Sequence, residues 1–494
     1  MRQQLTISGA LTRARHRASR LSPLVGRVVD EATGFAGIAP QRPLSDPPAG
    51  SGLRPIMGGP GLPILGAAHQ MLFSNGEYWA RIQFDEFGPM GWMKMLGETM
   101  VGVMGVDEIN EIYANRDKAF SNELGWGYVI GDFWHGGLML MDGKDHLRDR
   151  RIMQQGFTRD RLAGYLEQTE ASITHGIREL PTGRRIHLFP RLKQLTLDLA
   201  SEVFLGISLH DERTNVLNRA FSDAVRASSA LVRVDVPGSR WHAGHVARRQ
   251  LDEFFARELP AKRRSPGEDL FSVLCEAESD DGQRFTDQQV IDHMIFLLMA
   301  AHDTSTATLV STCFRIARDP EWQDRLRAES REIGDRHLTY DDLDHMPTYD
   351  MVIAEAQRLM TPVPVTPRRV VKDTSIGGYH LPEGVFVVPG VRGMHRNPAY
   401  WPEPDRFDPE RFLPERAGEH HPHAFMPFGG GVHKCIGMFF GLMEVKAILH
   451  RLLLTHEIHV KPGYDMPVDW VSLPVPADGL PVRLEPLSTR ALAA

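Results

Sequence analysis

The sequence predicts a mainly α-helical fold with a smaller β-rich part. Successive helical patterns separated by polar turns run from Arg159 to about Glu278, among them 192–205, 216–232 and 242–259. A long apolar helix follows from Thr286 to about Ile316, and further helices cover 346–360 and the segment after Cys435. Strand character is confined to short stretches at 92–103, 362–389 and 468–484.

A chain of 494 residues can bury a large core, and length alone suggests two to four domains. Its apolar and charged fractions, 42% and 24%, are those of a globular protein. The formal charge of −7 gives no reason to expect nucleic acid as a partner. Three cysteines, Cys275, Cys313 and Cys435, make no disulfide framework, so a reducing compartment is expected. No apolar run reaches the length of a membrane span, and the expected location is cytoplasmic.

Residues 1–55 read as a basic extension and a Pro/Gly-rich linker. Arg2, Arg13, Arg15, Arg17, Arg20 and Arg27 all precede the first acid, Asp30. Three readings stand side by side: a mobile tail, an amphipathic segment in peripheral contact with an anionic membrane surface, and an Arg-rich transit peptide. Next, 92–103 reads as β interrupted by Gly97, and 106–113 as helix. The stretch 120–141, rich in glycine and aromatics and without period, reads as a long loop. His146 and Arg150 stand four apart, which on a helix puts them on one face.

The middle of the chain supplies helices and, at 286, a capping box: Thr286 with Gln289. Within the long helix lies Ala300-Ala301-His302-Asp303-Thr304-Ser305, an acid and two hydroxyls in an otherwise apolar run. The alternative to a catalytic role for this pair is that Thr304 merely bonds to a carbonyl one turn back and Asp303 pairs with a surface cation. Glu355 and Arg358, at i and i+3, share a face of the helix 346–360. The end of the chain, 468–484, with Pro-Ala-Asp-Gly at 476–479, reads as a β-hairpin.

One cysteine is set apart by its surroundings. Phe428-Gly429-Gly430-Gly431-Val432-His433-Lys434-Cys435-Ile436-Gly437 places it after a glycine run and before an apolar helix. Free N–H groups at a helix start favour an anion, so this thiol is easily deprotonated, and a thiolate is a strong iron ligand. The alternative is a buried cysteine acting as a small hydrophobe.

The stretch resembles the haem-ligand signature of the cytochrome P-450 family, F-x-x-G-x-[R/H]-x-C-x-G, filled by Phe428, Gly431, His433, Cys435 and Gly437. Three further motifs resemble that family's in order and spacing. Ala300 to Ser305 resembles the oxygen-binding groove, with Ala301 where glycine is usual. Glu355 and Arg358 match E-x-x-R, with Arg411 in Phe407-Asp408-Pro409-Glu410-Arg411-Phe412 as third member of a structural ion cluster. His146 and Arg150 resemble the H-x-x-x-R propionate site, and Arg368 the propionate arginine of the small sheet, with Arg369 as the neighbouring register.

The resemblance covers about residues 55–486. It implies a cytochrome P-450 fold: a large helical domain with a smaller β-rich lobe, and haem b (iron protoporphyrin IX) between the long central helix and the cysteine loop. The implied domains are the extension 1–55, a catalytic domain 56–486 and a tail 487–494. The implied activity is a haem-thiolate monooxygenase that hydroxylates a small apolar substrate, such as a sterol, fatty acid or terpenoid, with O2. Cys435 is the implied iron ligand. Asp303 and Thr304 manage proton delivery, and His146, Arg150, Arg368 and His433 hold the propionates. Phe221, Val225, Leu231 and Val232 are candidates to line a mobile lid, and His302 is read as a packed or bridging histidine. Electrons are expected from a ferredoxin-type partner with an NAD(P)H-dependent reductase. Two alternatives remain at this level: a haem-thiolate enzyme driven by peroxide or rearranging its substrate, and a gas-sensing haem module. Neither needs the Asp303–Thr304 pair.

Overall fold

A computed structural model describes residues 13–14, 41–62, 66–68, 87–95, 97–207, 212–228, 230, 233–470 and 473–487. Most of the basic extension lies outside the described residues, as do Leu231 and Val232 of the expected lid. The chain folds as two compact units, each assembled from three separated stretches. The first comprises 1–125, 354–435 and 465–480, and the second 126–353, 436–464 and 481–494. Because the chain passes repeatedly from one unit to the other, no single linker marks a boundary in the sequence.

The first unit is built on a seven-stranded sheet in the order Arg42–Pro43, Met57–Gly59, Met90–Met95, Glu98–Val103, Phe386–Pro389, Arg368–Val370, Phe120–Ser121. The expected β segment at 92–103 is an antiparallel hairpin whose turn contains Gly97 at φ +91°, a conformation glycine adopts without penalty. Trp92, Val101, Val103 and Val387 of the sheet bury against Ile109 and Tyr113 of helix α1 (Val106–Ala114). The sheet begins earlier than the expected domain boundary at 56. Arg42–Pro43 pairs with Met57–Gly59, and the Trp92 indole donates to the Arg42 carbonyl.

The stretch 120–141 is not a loop. It forms the strand Phe120–Ser121, helix α2 (Asn122–Trp134) and a 3-10 turn at Leu138–Leu140. Its apolar residues spread around the whole helix, so no 3.6-residue period is visible, and Gly125, Gly127 and Gly131 lower its propensity. Packing overrides both: Phe133 and Trp134 are fully buried, and a side chain at Gly125 would collide with the backbone of Pro367.

The second unit carries α3 (Gly143–Gln154), α4 (Arg159–Arg178), α5 (Leu188–Leu205), α6 (Glu212–Ser228), α7 (Arg240–Arg264) and the long α8 (Asp287–Arg318). α9 (Pro347–Leu359) runs across the boundary of the two stretches, and α10 (Met438–Thr455) follows the cysteine loop. α8 begins with the expected capping box: Thr286 and Gln289 satisfy each other's backbone N–H groups. It is the one helix among the described residues long and apolar enough to cross a membrane. However, 72% of its most apolar window is buried, as in a core helix. α5, α7 and α10 pack on it.

The tail differs from the single expected hairpin. Val468–Asp469 pairs with Val475–Pro476, but Pro481–Pro486 joins His456–His459 and Arg185–His187 in a separate three-stranded sheet. The turn that the sequence marks is real, with Gly479 and Leu480 both at positive φ. It redirects the chain so that Val482 and Leu484 bury on a different sheet.

Candidate active site

The cysteine loop is set by backbone geometry. The Cys435 N–H donates to the Phe428 carbonyl at 2.9 Å, closing a loop that contains a 3-10 turn at Gly431–His433. Gly431 sits at φ +61°, and a Cβ there would collide with the carbonyl oxygen of Tyr113 at the end of α1. Glycine is therefore required at this point of the signature for two independent reasons. Cys435 is exposed, whereas burial pushes the Cys275 and Cys313 thiols up to about 11 and about 12. Those two are unreactive small hydrophobes, and Cys435 is the thiol available to a metal. After it, Gly437 is the N-cap of α10 and offers its first-turn N–H groups no side-chain acceptor.

The ion cluster lies in the same unit. Arg358 bridges both Glu355 oxygens at 2.7 Å, and Arg411 approaches Glu355 at 3.4 Å. Arg358 also donates to the carbonyls of His395, Pro404 and Arg406, and the Asp408 N–H donates to Glu355. The cluster thus ties α9 to the irregular chain at 395–411 that leads toward the cysteine loop, with two guanidinium groups sharing the single Glu355 carboxylate.

The propionate candidates fall in both units. On α3, His146 is buried and Arg150 half-buried, one turn apart. Asp149 beside them is buried, 3.1 Å from His293 Nε2 on α8 and bonded by Arg148. In the first unit, strand alternation separates Arg368 from Arg369. Arg369 pairs with Glu98 at 3.0 Å and covers the Phe386 ring, while Arg368 is buried with its guanidinium 5.8 Å from the Tyr113 ring centre. His433 is half-buried on the 3-10 turn.

In α8 the Thr304 hydroxyl donates to the Ala300 carbonyl at 2.7 Å, and Thr306, Thr308 and Thr312 make the same back-bond one turn upstream of themselves. Asp303 Oδ1 accepts from Lys193 Nζ of α5 at 2.6 Å and lies 3.3 Å from His302 Nε2. Both contacts of the purely structural alternative, the back-bond and the cation, are therefore present. Burial works against the Asp303 anion, yet His302 and Lys193 outweigh it and hold the carboxyl below the ordinary value. His302 is buried, its ring packed on Phe221 of α6.

Sequence reasoning missed two residues. Lys193 is one of two cations, with Arg191, in an amphipathic helix, and nothing local marks its partner. Glu444 left a readable signal, as an acid on the otherwise apolar face of α10 nine residues past Cys435. It is buried and lines a small cavity with Leu166, Thr169, Ile173, Leu199 and Met443. Burial pushes its carboxyl up to about 8, with the Ser305 hydroxyl pulling the other way.

The family model of Cytochrome P450 matches residues 57–471. The chain belongs to the cytochrome P450 family. It is 42% identical to the putative cytochrome P450 136 of Mycobacterium tuberculosis, over 90% of this chain and 92% of that one. It is 30% identical to a cyclooctat-9-en-7-ol 5-monooxygenase of Streptomyces melanosporofaciens, over 66% and 73%. The retinoic acid-bound cyanobacterial CYP120A1 superposes with a TM-score of 0.80 at 26% identity, covering 87% of this chain and 98% of that one. As a cytochrome P450 the protein is a mainly α monooxygenase with a smaller β region, uses haem b and O2, and takes electrons from a redox partner. The residues present fit that cofactor in kind: one exposed thiol for iron, and arginines and histidines for two carboxylates.

Proposed function

We propose that this cytochrome P450 hydroxylates an apolar small molecule, a terpenoid, sterol or fatty acid, in the cytoplasm, with electrons from a ferredoxin and its NAD(P)H-dependent reductase. Haem held by Cys435 supplies O2 activation and oxygen insertion, and His146, Arg150, Arg368 and His433 are the groups that would hold its propionates. The observation that carries the reading is the cysteine loop, where Gly431 and the Cys435–Phe428 backbone bond present the exposed Cys435 thiol. The Asp303 side chain is 11% exposed and that of Lys193 27%, so the pair reaches from solvent toward the middle of a buried helix.

Proton delivery follows from these contacts. A threonine hydroxyl has one donor and two acceptor sites, and Thr304 has spent its donor on Ala300. Its oxygen is left to accept a hydrogen bond and hold a protonated species or a water in place. Asp303, kept ionised at neutral pH, would take up a proton from the solvent side when its carboxylate leaves Lys193 and hand it inward to the species held at Thr304, returning to its ionised form. General-acid help of this kind is worth about 10²–10⁴ in rate.

The test uses a surrogate ferredoxin and reductase with NADPH. A panel of apolar molecules, retinoic acid and diterpene alcohols among them, is screened for substrate-induced Soret shifts and products. In Thr304→Ala, haem content and the Soret shift are retained, while product per NADPH falls several-fold and hydrogen peroxide rises. Equal coupling in both proteins, or turnover by hydrogen peroxide alone at the NADPH-driven rate, would overturn the reading.

A further inference from the structure

Between α7 and α8 the chain makes a tight acidic hairpin. Glu278 and Arg284 form an antiparallel bridge, the Ser279 N–H donates to the Gln283 carbonyl at 2.8 Å, and the Gly282 N–H donates to the Ser279 carbonyl at 2.9 Å. Gly282 turns the chain at φ +78°, and Asp281 accepts from the Ser279 hydroxyl. The tip therefore presents Asp280 and Asp281 in a fixed shape, and it does so against α3. Gln155 Nε2, just past α3, donates to the Glu278 carbonyl at 2.5 Å, and Arg151 lies 3.9 Å from Asp280. Asp281, whose carboxyl the Ser279 hydroxyl holds below its ordinary value, is drawn further the same way by Arg148. Positions one helical turn apart, 155, 151 and 148, thus meet 278, 280 and 281 in order, so the hairpin lies along the helix.

Lys144, Leu147, Arg148 and Arg151 are spaced i, i+3, i+4 and i+7 and share one face of α3. Leu147 is 40% exposed in the midst of three cations, an apolar centre with a charged rim. Arg148 also bonds Asp145 and Asp149, so Lys144 and Arg151 carry most of the attraction of this face. His146 and Arg150 are turned away from it on the same helix. A protein seated on the outer face therefore stands one helix diameter, about 10 Å, from the groups assigned to the propionates.

We propose that the hairpin tip, Asp280 and Asp281, is a built-in competitor for an acidic electron donor: it covers the 148–155 end of this face, and the donor displaces it to dock over Lys144, Leu147 and Arg151. The inference rests on the reading of a ferredoxin, an acidic iron–sulfur protein, as the donor. Arg151 and Asp280 are 67% and 92% exposed, so their attraction is small and screened by salt, and the tip yields to a partner without unfolding the helix. Until it yields, its two negative charges lower the positive potential that steers an acidic donor inward. Charges at the rim of an interface act mainly on the rate of association. The hairpin thus slows encounters with weakly acidic proteins and passes a donor acidic enough to outcompete two carboxylates.

Association of a plant-type ferredoxin with the haem-loaded protein is followed by surface plasmon resonance at low and at high salt. In the double variant Asp280→Asn, Asp281→Asn, asparagine keeps the size of each side chain and an acceptor for Ser279, so the hairpin is retained. The expected result is an association rate raised several-fold at low salt, with variant and wild type converging at high salt. Lys144→Gln, at the end of the face the hairpin does not reach, is expected to slow association several-fold in both backgrounds. A hairpin that only braces α3 would instead lower the unfolding temperature of the double variant and leave its association rate as in wild type. An unchanged or slower association of the double variant at low salt, with Lys144→Gln still slowing it, would overturn the competitor alone. Association that Lys144→Gln leaves unchanged would overturn α3 as the seat of the donor. No association at either salt would overturn the ferredoxin reading on which the inference rests.

Discussion

Glu444 ties stability to pH through one proton. Its folded value of about 8 lies above the ordinary 4.5, so between the two the folded protein holds a proton that the unfolded chain releases. Stability is therefore full below about 4.5, falls as pH rises through that window, and has lost its whole share above the folded value. At about 1.4 kcal/mol per pKa unit the loss is on the order of a few kcal/mol. Glu444→Gln, which is always neutral, is expected to unfold like wild type at pH 5 and at higher temperature than wild type at pH 8. Equal differences at both pH values would contradict this. Arg358→Ala leaves three carbonyls without their donor and Glu355 with only the more distant Arg411, and is expected to cost about 3–5 kcal/mol in denaturant unfolding. A loss below about 1 kcal/mol would mean the cluster is not closed to water. At this scale the roles proposed for Cys435, Asp303 and Thr304 can be read from the sequence because their chemistry sits in contiguous stretches. That of Lys193 cannot, because it meets Asp303 across 110 residues of sequence and only the packing of α5 on α8 brings it there.

The cysteine loop, the sheet and the helices differ in how openly the sequence announces them. α8 declared both its start, by the Thr286–Gln289 box, and its apolar length, whereas α2 hid behind glycines and aromatics whose positions are dictated by contacts far along the chain. The second arm of the tail hairpin was misread for a related reason: a turn shows that the chain reverses, not which sheet receives it. The cysteine loop depends on glycine at 431. Gly431→Ala is expected to bind clearly less haem per protein, since the new methyl displaces the loop from Tyr113 and carries Cys435 with it. Gly418→Ala, whose Cβ would meet nothing within 4 Å, serves as the comparison and should keep its haem. Equal haem content in the two variants would mean that the loop adapts.

Across the whole molecule the family was legible from four motifs, while the two-unit organisation was not, because each unit is closed by segments from distant parts of the chain. The sheet also claims residues 42–43, so a truncation that spares it ends at about residue 40. Deletion of residues 1–40 is expected to leave haem content and the absorption spectrum unchanged. If the basic segment contacts anionic vesicles, the deletion also abolishes a binding that weakens with salt. Loss of haem on truncation would give the segment a part in folding. The claim on which the whole account turns is the thiolate, and the ferrous-CO spectrum of wild type and Cys435→Ser tests it most directly. Electron donation by a thiolate shifts the wild-type band to the red of ordinary histidine-ligated haem, and Cys435→Ser is expected to lose that shift because its oxygen is a weaker donor. A red-shifted band that survives in Cys435→Ser would contradict the assignment of Cys435 as the iron ligand.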